Sequence, residues 1–285
     1  MTAASKRKHE MELLDFTFAF QPIVDTVARK TYSHEALVRG VNNESAYQIL
    51  QQYTGRDLAV FDAACRSRAI DLASRIGLDT FLNLNLLPSA ALDLEVGLNS
   101  TVEAANRNGF PLERLIVEAT EVEAVSDLVR FAEVLNEYRR AGIRLAIDDF
   151  GAGYAGLSLL SEFQPDFLKL DMGLVRGIES HGPRQSIVRA IAQVCVDLGI
   201  DFVVEGVETV DEFSWFTDLG VNLYQGYLFA KPMFEAMPLI NIPDLAAGGP
   251  HVDRILLPDR SVGRTSRLTD YCSHVPNAGV VQSLR

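Results

Sequence analysis

Short runs of β-favouring apolar residues alternate along the chain with longer segments of helical apolar spacing. Apolar side chains recur every three or four residues in Asp57–Ile76, Leu128–Tyr138 and Gln185–Leu198, which predicts helices there. The runs that predict strands are Phe16–Val24, Thr31–Val38, Thr80–Leu86, Leu115–Val117, Arg144–Ile147, Phe167–Leu170, Phe202–Val204 and Leu223–Tyr224. Strands that alternate with helices predict an α/β fold and favour a (β/α)8 barrel, with an open doubly wound sheet as the alternative.

The first two strand candidates depart from a regular barrel. The linker between them, Asp25–Lys30, is too short to hold a crossover helix, and parallel neighbours need such a crossover. We therefore expect a modified TIM barrel whose first strand is antiparallel to its neighbour.

The chain divides into three segments in this interpretation. Residues 1–15 form an N-terminal extension, residues 16–244 form the barrel domain, and residues 245–285 form a linker and tail. The linker begins in the Ala246–Pro250 run, which is rich in small residues and glycine, and the tail beyond it has weak periodicity.

Charge and cysteine content narrow the class of protein. The net charge of −12 argues against a surface for nucleic acid or anionic membrane, so we expect no DNA partner. No apolar run approaches the ~18 residues of a membrane span, and no signal peptide is visible. Cys65, Cys195 and Cys272 are odd in number and widely spaced, which is typical of reduced thiols. We expect a cytoplasmic protein with no membrane insertion.

Two adjacent carboxylates, Asp148 and Asp149, follow the predicted strand that ends at Ile147. Aspartate is costly to bury, and two ionised neighbours repel one another. A divalent cation would relieve both costs. A helix N-cap followed by the turn glycines Gly151 and Gly153 is the alternative, and this segment alone leaves both readings open.

Polar residues recur where one predicted strand after another ends. They are Glu35, Asn85, Glu118, Asp148, Asp149, Lys169, Asp171, Glu205 and Gln225. In a barrel these ends meet on one face, where active sites lie. Oxygen ligands without histidine or cysteine suit Mg²⁺ or Mn²⁺, and there are enough for two ions, a usual device for phosphoester hydrolysis. Lys169 would balance charge, hold the attacking water or serve as a buried counter-ion.

The order of these residues resembles the EAL-domain family of cyclic-di-GMP phosphodiesterases. The resemblance extends from about Phe18 to Pro232. Its motifs are Gln21–Ile23, Glu35–Arg39, Asn85–Pro88, Glu118–Glu121, Asp148–Tyr154, Lys169–Asp171, Glu205–Glu208 and Gln225–Pro232.

This resemblance implies metal-dependent hydrolysis of one phosphodiester bond of cyclic di-GMP, which gives linear pGpG. One cation would be held by Glu35, Asn85, Glu118 and Asp148. The second would be held by Asp149 together with Asp148, and Glu205 would complete the metal site. Glu35, Lys169 and Glu205 would be the catalytic residues, the last two orienting or deprotonating the nucleophile. The two cations would be Mg²⁺ or Mn²⁺, and Ca²⁺ is expected to inhibit.

The resemblance also implies roles around the metal site. Gln21, Leu37, Arg39 and Gln225 would contact the substrate, while Glu121, Asp171 and Glu208 would support the site from outside. A homodimer and an unidentified regulatory protein are the expected partners. Ala155 and Gly156 stand where the family often has two serines, so the dimer geometry is expected to differ.

Two alternatives to an active phosphodiesterase are open. The first is a catalytically silent receptor or scaffold for cyclic di-GMP, although such members usually lose a metal ligand and this chain keeps every one. The second is an unrelated barrel hydrolase of sugar phosphates, which would not share the order of motifs.

Overall fold

A computed structural model describes residues 15–88, 94–120, 128–153 and 156–245. Its strands are β1 (Phe16–Asp25), β2 (Lys30–Gly40), β3 (Phe81–Leu86), β4 (Leu115–Thr120), β5 (Arg144–Phe150), β6 (Phe167–Leu170), β7 (Asp201–Val204), β8 (Leu223–Tyr224) and β9 (Met233–Phe234). The helices are α1 (Ala46–Leu50), α2 (Gly55–Arg75), α3 (Leu94–Asn108), α4 (Leu128–Arg140), α5 (Gly156–Glu162), α6 (Met172–Val175), α7 (Gly182–Leu198) and α8 (Val210–Leu219). Short 3₁₀ turns lie at Leu112–Arg114 and Ile178–Ser180.

The strands close into a barrel. From β2 to β8 each strand is parallel to the next, and β1 closes the ring by pairing antiparallel with both β2 and β8. The two-residue strand β9 adds to β1 outside the ring. The predicted modified TIM barrel with an antiparallel first strand is confirmed, and the open doubly wound sheet is wrong. The short turn after Asp25 is the cause, because it leaves no room for a crossover.

The interior of the barrel is layered along the strands. Side chains two residues apart on a strand face the same side, so several of the polar site residues have an apolar residue beneath them. Ile116 lies below Glu118, and Phe167 lies below Lys169. Together these buried residues form a cluster that we call the apolar floor: Ile23, Ile116, Ala146, Phe167, Val203 and Leu223, with Tyr32 and Phe81 packed against it.

The helices cover the outside of the barrel and share the larger apolar core with it. Their ends are stabilised locally: Thr209 and Glu212 form a capping box at the start of α8, and Gly199 and Gly220 end α7 and α8 in the left-handed conformation. None of the helices in the described ranges has both the length and the apolar character that a bilayer span requires. Cys65 and Cys195 are free thiols, whereas Cys272 lies outside the described residues.

A buried ion pair on α2 braces the carboxyl end of β3. Arg66 and Asp62 pair one turn apart, and both side chains are almost fully buried. The Arg66 guanidinium also donates to the Asn85 carbonyl oxygen (3.3 Å) and to Thr101 Oγ1 (3.2 Å). Asp62 Oδ1 accepts from the backbone N–H of Leu87 (3.2 Å). The pair therefore fixes the backbone on both sides of Leu86, where β3 delivers Asn85 to the top of the barrel.

We predict that Arg66→Leu costs about 3–5 kcal/mol of unfolding free energy, because it leaves the Asp62 carboxylate buried without its charge partner. The double substitution Asp62→Leu/Arg66→Leu should recover at least half of that loss, since it removes both buried charges. Urea denaturation at pH 7.5 measures both values. A double variant as unstable as the sum of the two single variants would contradict this account.

Candidate active site

The ammonium group of Lys169 lies at the centre of the polar layer above the apolar floor. Its Nζ is 2.6 Å from Glu205 Oε1, 2.9 Å from Glu118 Oε1, 3.0 Å from Asp148 Oδ1 and 3.5 Å from Glu35 Oε2. Glu35 lies on β2, Glu118 on β4, Asp148 on β5, and Glu205 directly after β7. The closed barrel therefore brings four carboxylates from separate strands to one lysine. The side chain of Lys169 is 1% exposed.

Two amides hold the carboxylate of Glu35. Asn85 Nδ2 donates to Glu35 Oε1 (3.0 Å), and Gln225 Nε2 donates to Glu35 Oε2 (2.8 Å). Burial alone would raise the pKa of Glu35, but Lys169 and the two amides outweigh burial and lower it. Glu35 is therefore ionised at neutral pH, with both oxygens fixed in direction.

Glu118 is held by one oxygen only. Its Oε1 accepts from Nδ2 of Asn83 at 2.7 Å and lies 2.9 Å from the Lys169 ammonium. Its Oε2 is buried and has no hydrogen-bond partner among the described residues. Burial raises the pKa of Glu118 to about 8 against the opposing charge of Lys169, with further help from Glu35 and Asp148. A buried acceptor left open in this way is suited to a cation.

Asp148 and Asp149 lie within β5, so the helix N-cap interpretation of this pair is wrong. The pairing of β5 with β6 shifts register between Ile147 and Phe150, and Asp149 adopts a left-handed backbone with φ +54°. This bulge turns both carboxylates toward one site, although strand neighbours normally face opposite sides. Gly151 also has a left-handed backbone (φ +100°), but it lies after this bulge.

Two further carboxyl groups of the site, Asp149 and Glu205, also have raised pKa values. Burial and the charge of Asp148 raise the pKa of Asp149 to about 6. The same two causes raise the pKa of Glu205 well above its usual range. Burial would lower the pKa of Lys169, but Asp148, Glu118, Glu205 and Glu35 together raise it well above the ordinary value. One ammonium thus faces more negative charge than it can neutralise.

The carboxylates fall into two groups with the spacing of metal ligands. Oxygen atoms of Glu35, Glu118 and Asp148 lie within 4.8 Å of one another, and so do those of Asp148, Asp149 and Glu205. Asp148 belongs to both groups. An all-oxygen donor set, a carboxylate shared between two groups and the open Oε2 of Glu118 fit two hard divalent cations.

The residues predicted to contact a substrate line the way from this cluster to the barrel rim. Gln21 lies beside Glu35 in the β1–β2 register, and its Nε2 donates to the Ala230 carbonyl oxygen (3.3 Å). Leu37 and Arg39 lie two and four residues beyond Glu35 on β2, on the same side of the strand. Arg39 is partly exposed and donates to the Val38 carbonyl oxygen (2.7 Å).

Three residues were predicted to support the site from outside. Asp171 caps α6, where its Oδ1 accepts from Gly173 N–H (2.8 Å). Glu208 pairs with Arg176, and both side chains are partly exposed. Glu121 lies outside the described residues. Gln225, predicted to contact substrate, donates to Glu35; its contact with substrate stays a prediction.

The short helix α6 fits between the loops that follow β5 and β7. A Cβ atom on Gly151 would lie 2.5 Å from Leu174 Cδ1, and one on Gly206 would lie 2.6 Å from Met172 Cβ. Both glycines have positive φ. The backbone N–H of Asp171 also donates to the Phe150 carbonyl oxygen (3.2 Å). We call the stretch Asp171–Val175 the wedge, because it packs against the chain next to both Asp149 and Glu205.

The sequence-based account missed Asn83 and the Asp62–Arg66 pair. Asn83 and Asn85 alternate on β3, so both side chains face the interior, and that alternation was the available signal. No periodicity in the sequence indicates that Arg66 reaches the carbonyl group of Asn85.

The profile of the EAL domain matches residues 5–232. The chain belongs to the EAL-domain family. The similar curated proteins include two from Escherichia coli (strain K12). The "Blue light- and temperature-regulated antirepressor BluF" is 36% identical over 80% of this EAL chain and 57% of BluF. "Cyclic di-GMP phosphodiesterase PdeR" is 34% identical over 55% of this chain and 23% of PdeR. The chain thus spans only part of each relative's length.

Two solved EAL structures resemble this EAL chain closely. The standalone versatile EAL protein of Vibrio cholerae O395 in its c-di-GMP bound form has 43% identity and a TM-score of 0.78, covering 81% of this chain and 98% of that one. The manganese and cyclic-diGMP complex of Klebsiella pneumoniae BlrP1 at pH 9.0 has 36% identity and a TM-score of 0.74, covering 80% and 58%.

We predict that Lys169→Met lowers the unfolding free energy by about 3 kcal/mol or more at pH 7.5 in EDTA, because the carboxylates lose their only buried cation partner in the described site. The deficit should shrink at pH 5.5, since protonation then relieves the repulsion. Urea denaturation measures both values.

The matched control is Lys231→Met, which removes an exposed lysine that lies over the Tyr227 ring. Its effect should stay within about 0.5 kcal/mol, as for ordinary surface positions. Equal losses in the two variants would show that the buried ammonium has no special role.

Proposed function

We propose that this EAL domain hydrolyses one phosphodiester bond of cyclic di-GMP to give linear pGpG, and that it needs two divalent cations, Mg²⁺ or Mn²⁺. The observation that carries the proposal is the presence of two clusters of three carboxylates with the spacing of metal ligands. The two clusters share Asp148, which lies beside Lys169. The family membership, the name of PdeR and the cyclic-di-GMP complexes of two similar structures support the substrate.

The first cation would be held by Glu35, Asn85, Glu118 and Asp148, and the second by Asp148, Asp149 and Glu205. The manganese complex of BlrP1 supports this choice of ion class. When bound, the ions would neutralise phosphate oxygens and lower the pKa of the attacking water. Without them, the surplus negative charge of the cluster would repel an anionic substrate.

Lys169 acts in this proposal as a fixed positive charge rather than a base. Its raised pKa keeps it protonated, and an ammonium group has three donors and no acceptor. It holds the carboxylates in place and stabilises charge that develops on the phosphoryl oxygens. Glu205 pairs with Lys169 and, with Asp149, orients the water for attack in line with the leaving ribose oxygen. The new P–O bond forms as the P–O bond to that oxygen breaks, while the Glu205 carboxylate takes the proton that the water loses and solvent protonates the leaving oxygen.

The rim of β2 recognises the substrate in this proposal. The guanidinium of Arg39 presents paired donors that match a phosphate or a guanine edge. It lies four residues beyond Glu35, roughly 13 Å along the strand at about 3.3 Å per residue. Leu37, between them, and Gln21, beside Glu35, would contact the part of the substrate nearest the cations. Gln225 would contact the substrate after its hydrogen bond to Glu35 breaks.

A catalytically silent receptor or scaffold for cyclic di-GMP is the second candidate function. The relative BluF, named an antirepressor, supports it. Against it stands the described set of predicted ligands, in which every position carries a ligand-type side chain: Glu35, Asn85, Glu118, Asp148, Asp149 and Glu205. We therefore place hydrolysis first.

The wider organisation of the protein belongs to the same proposal. Residues 16–244 would be the EAL phosphodiesterase domain, residues 1–15 an extension, and residues 245–285 a linker and tail. A homodimer, an unidentified regulatory protein and a cytoplasmic location stay predictions. Inhibition by Ca²⁺ also stays a prediction.

We predict that the protein converts cyclic di-GMP to pGpG in Mg²⁺ or Mn²⁺, and that EDTA abolishes turnover until either ion is restored. Glu35→Ala and Asp149→Ala should each lower kcat/KM by more than about 100-fold, because each removes a proposed ligand. Product analysis by liquid chromatography measures the rates, and circular dichroism checks the fold. Glu133→Ala, an exposed carboxylate on α4, is the control and should keep the wild-type rate.

Three outcomes separate the candidates. Metal-dependent pGpG formation that both alanine variants lose supports the phosphodiesterase. Tight binding of cyclic di-GMP without product, in either metal, supports the receptor. Turnover that persists in EDTA, or in both variants, contradicts the proposed site.

A further inference from the structure

We propose that Asn83 is a positioning residue that selects which oxygen of Glu118 is presented to a divalent cation. The inference rests on the proposed function, because it concerns the first of the two cation sites. Asn83 is not one of the proposed ligands. It acts through Glu118 and does not touch the reacting atoms.

The position of Asn83 in the barrel makes this contact possible. On β3 it lies between Phe81, which packs against the apolar floor, and Asn85 in the layer of the carboxylates. It pairs in register with Glu35 on β2 and with Ile116 on β4. Its side chain is 3% exposed. From there its Nδ2 reaches up to Glu118 Oε1 at 2.7 Å.

The hydrogen bonds on Glu118 are strongly asymmetric. Oε1 accepts a hydrogen bond from Asn83 and lies 2.9 Å from the Lys169 ammonium, whereas Oε2 is buried with no hydrogen-bond partner among the described residues. Both favourable contacts therefore fall on Oε1. Because the carboxylate is planar, holding Oε1 between the amide and the ammonium also sets the direction of Oε2. Oε2 is thereby left as the atom that a cation can bind.

Lys169 alone would not produce this asymmetry. Its ammonium has three donors and lies within 3.5 Å of four carboxylates, so Glu118 could pair with it through either oxygen. The Asn83 amide has a fixed direction and reaches one oxygen only. The neutral amide also adds a donor without adding charge to the cluster.

Fold stability does not explain an asparagine at this position. Its Oδ1 is buried without a hydrogen-bond partner in the described part of the chain, and an unsatisfied buried acceptor is unfavourable. A leucine, which has the same branching at Cγ and no polar atoms, would avoid that cost. The amide therefore has its use in the hydrogen bond to Glu118.

The decisive experiment compares Mn²⁺ affinity in the full chain with and without this amide. The variants are Asn83→Leu, which removes the amide and keeps the branching at Cγ, and Asn83→Asp, which keeps the shape and loses the donor when ionised. Free Mn²⁺ is measured by electron paramagnetic resonance during titration, without substrate. We expect Mn²⁺ binding at the tighter site to weaken by about 10- to 100-fold in both variants, the range typical for partners of metal ligands.

Further readouts separate this role from a structural one. The melting temperature of Asn83→Leu in EDTA should equal or exceed that of the wild type. In turnover, the Mn²⁺ concentration for half-maximal rate should rise by a similar factor, while KM for cyclic di-GMP at saturating Mn²⁺ changes less than twofold. Ser33→Ala is the matched control, because the Ser33 hydroxyl is also buried and unpartnered in the described structure. Its Mn²⁺ affinity should be unchanged.

Mn²⁺ affinity in Asn83→Leu and Asn83→Asp within twofold of the wild type would overturn the inference. So would a loss of affinity that Ser33→Ala shares. If Asn83→Leu does not fold, Asn83→Ser takes its place, since it removes the amide without adding volume. A wild type that binds Mn²⁺ but does not hydrolyse cyclic di-GMP refutes the proposed function only, and Asn83 is then judged on affinity. A wild type that binds no Mn²⁺ overturns the inference.

Discussion

The contact between the Lys169 ammonium and its ring of carboxylates is the interaction on which the rest of the site depends. Separate strands deliver Glu35, Glu118, Asp148 and Glu205 to a single buried charge. Bringing these groups out of water is costly for each of them. The attraction between the ammonium and the carboxylates offsets part of that cost. The folding free energy of the closed barrel offsets the remainder, because the backbone fixes the positions of these side chains.

The apolar floor makes this charge cluster chemically unusual. Residues such as Phe167 and Ile116 exclude water from below, so charges in the layer above interact more strongly than they would in water. The excess negative charge has two consequences for the carboxyl groups. The pKa values of Glu118 and Asp149 rise to about 8 and about 6, and Glu118 Oε2 is left open. Protonation of carboxyl groups with raised pKa values reduces the excess negative charge. Divalent cations bound to open carboxylate oxygens would also reduce it.

The arrangement of the strands was largely predictable from the sequence. Their apolar runs are bounded by polar residues, and the short Asp25–Lys30 turn determines the antiparallel start of the barrel. The convergence of Glu35, Glu118 and Asp148 followed from one rule, that parallel strands end on the same face. These features depend on local pattern and chain topology, which a single sequence displays.

The details that shape the site were not predictable in the same way. The left-handed backbone of Asp149 replaces a turn expected at the glycines, and it depends on a bulge set by pairing with β6. The contact of Asn83 with Glu118 joins residues 35 positions apart. The reach of Arg66 to the Asn85 carbonyl depends on how α2 packs against β3. Each is a tertiary contact of one side chain, which leaves no periodic trace.

The wedge gives two active-site loops a common mechanical support. Leu174 fills the space that a side chain at Gly151 would take, and Met172 does the same at Gly206. The backbone beside Asp149 and the backbone beside Glu205 therefore both pack against one four-residue helix. Two of the three carboxylates in the second group thus share a support, and a change that tilts α6 would disturb the surroundings of both at once.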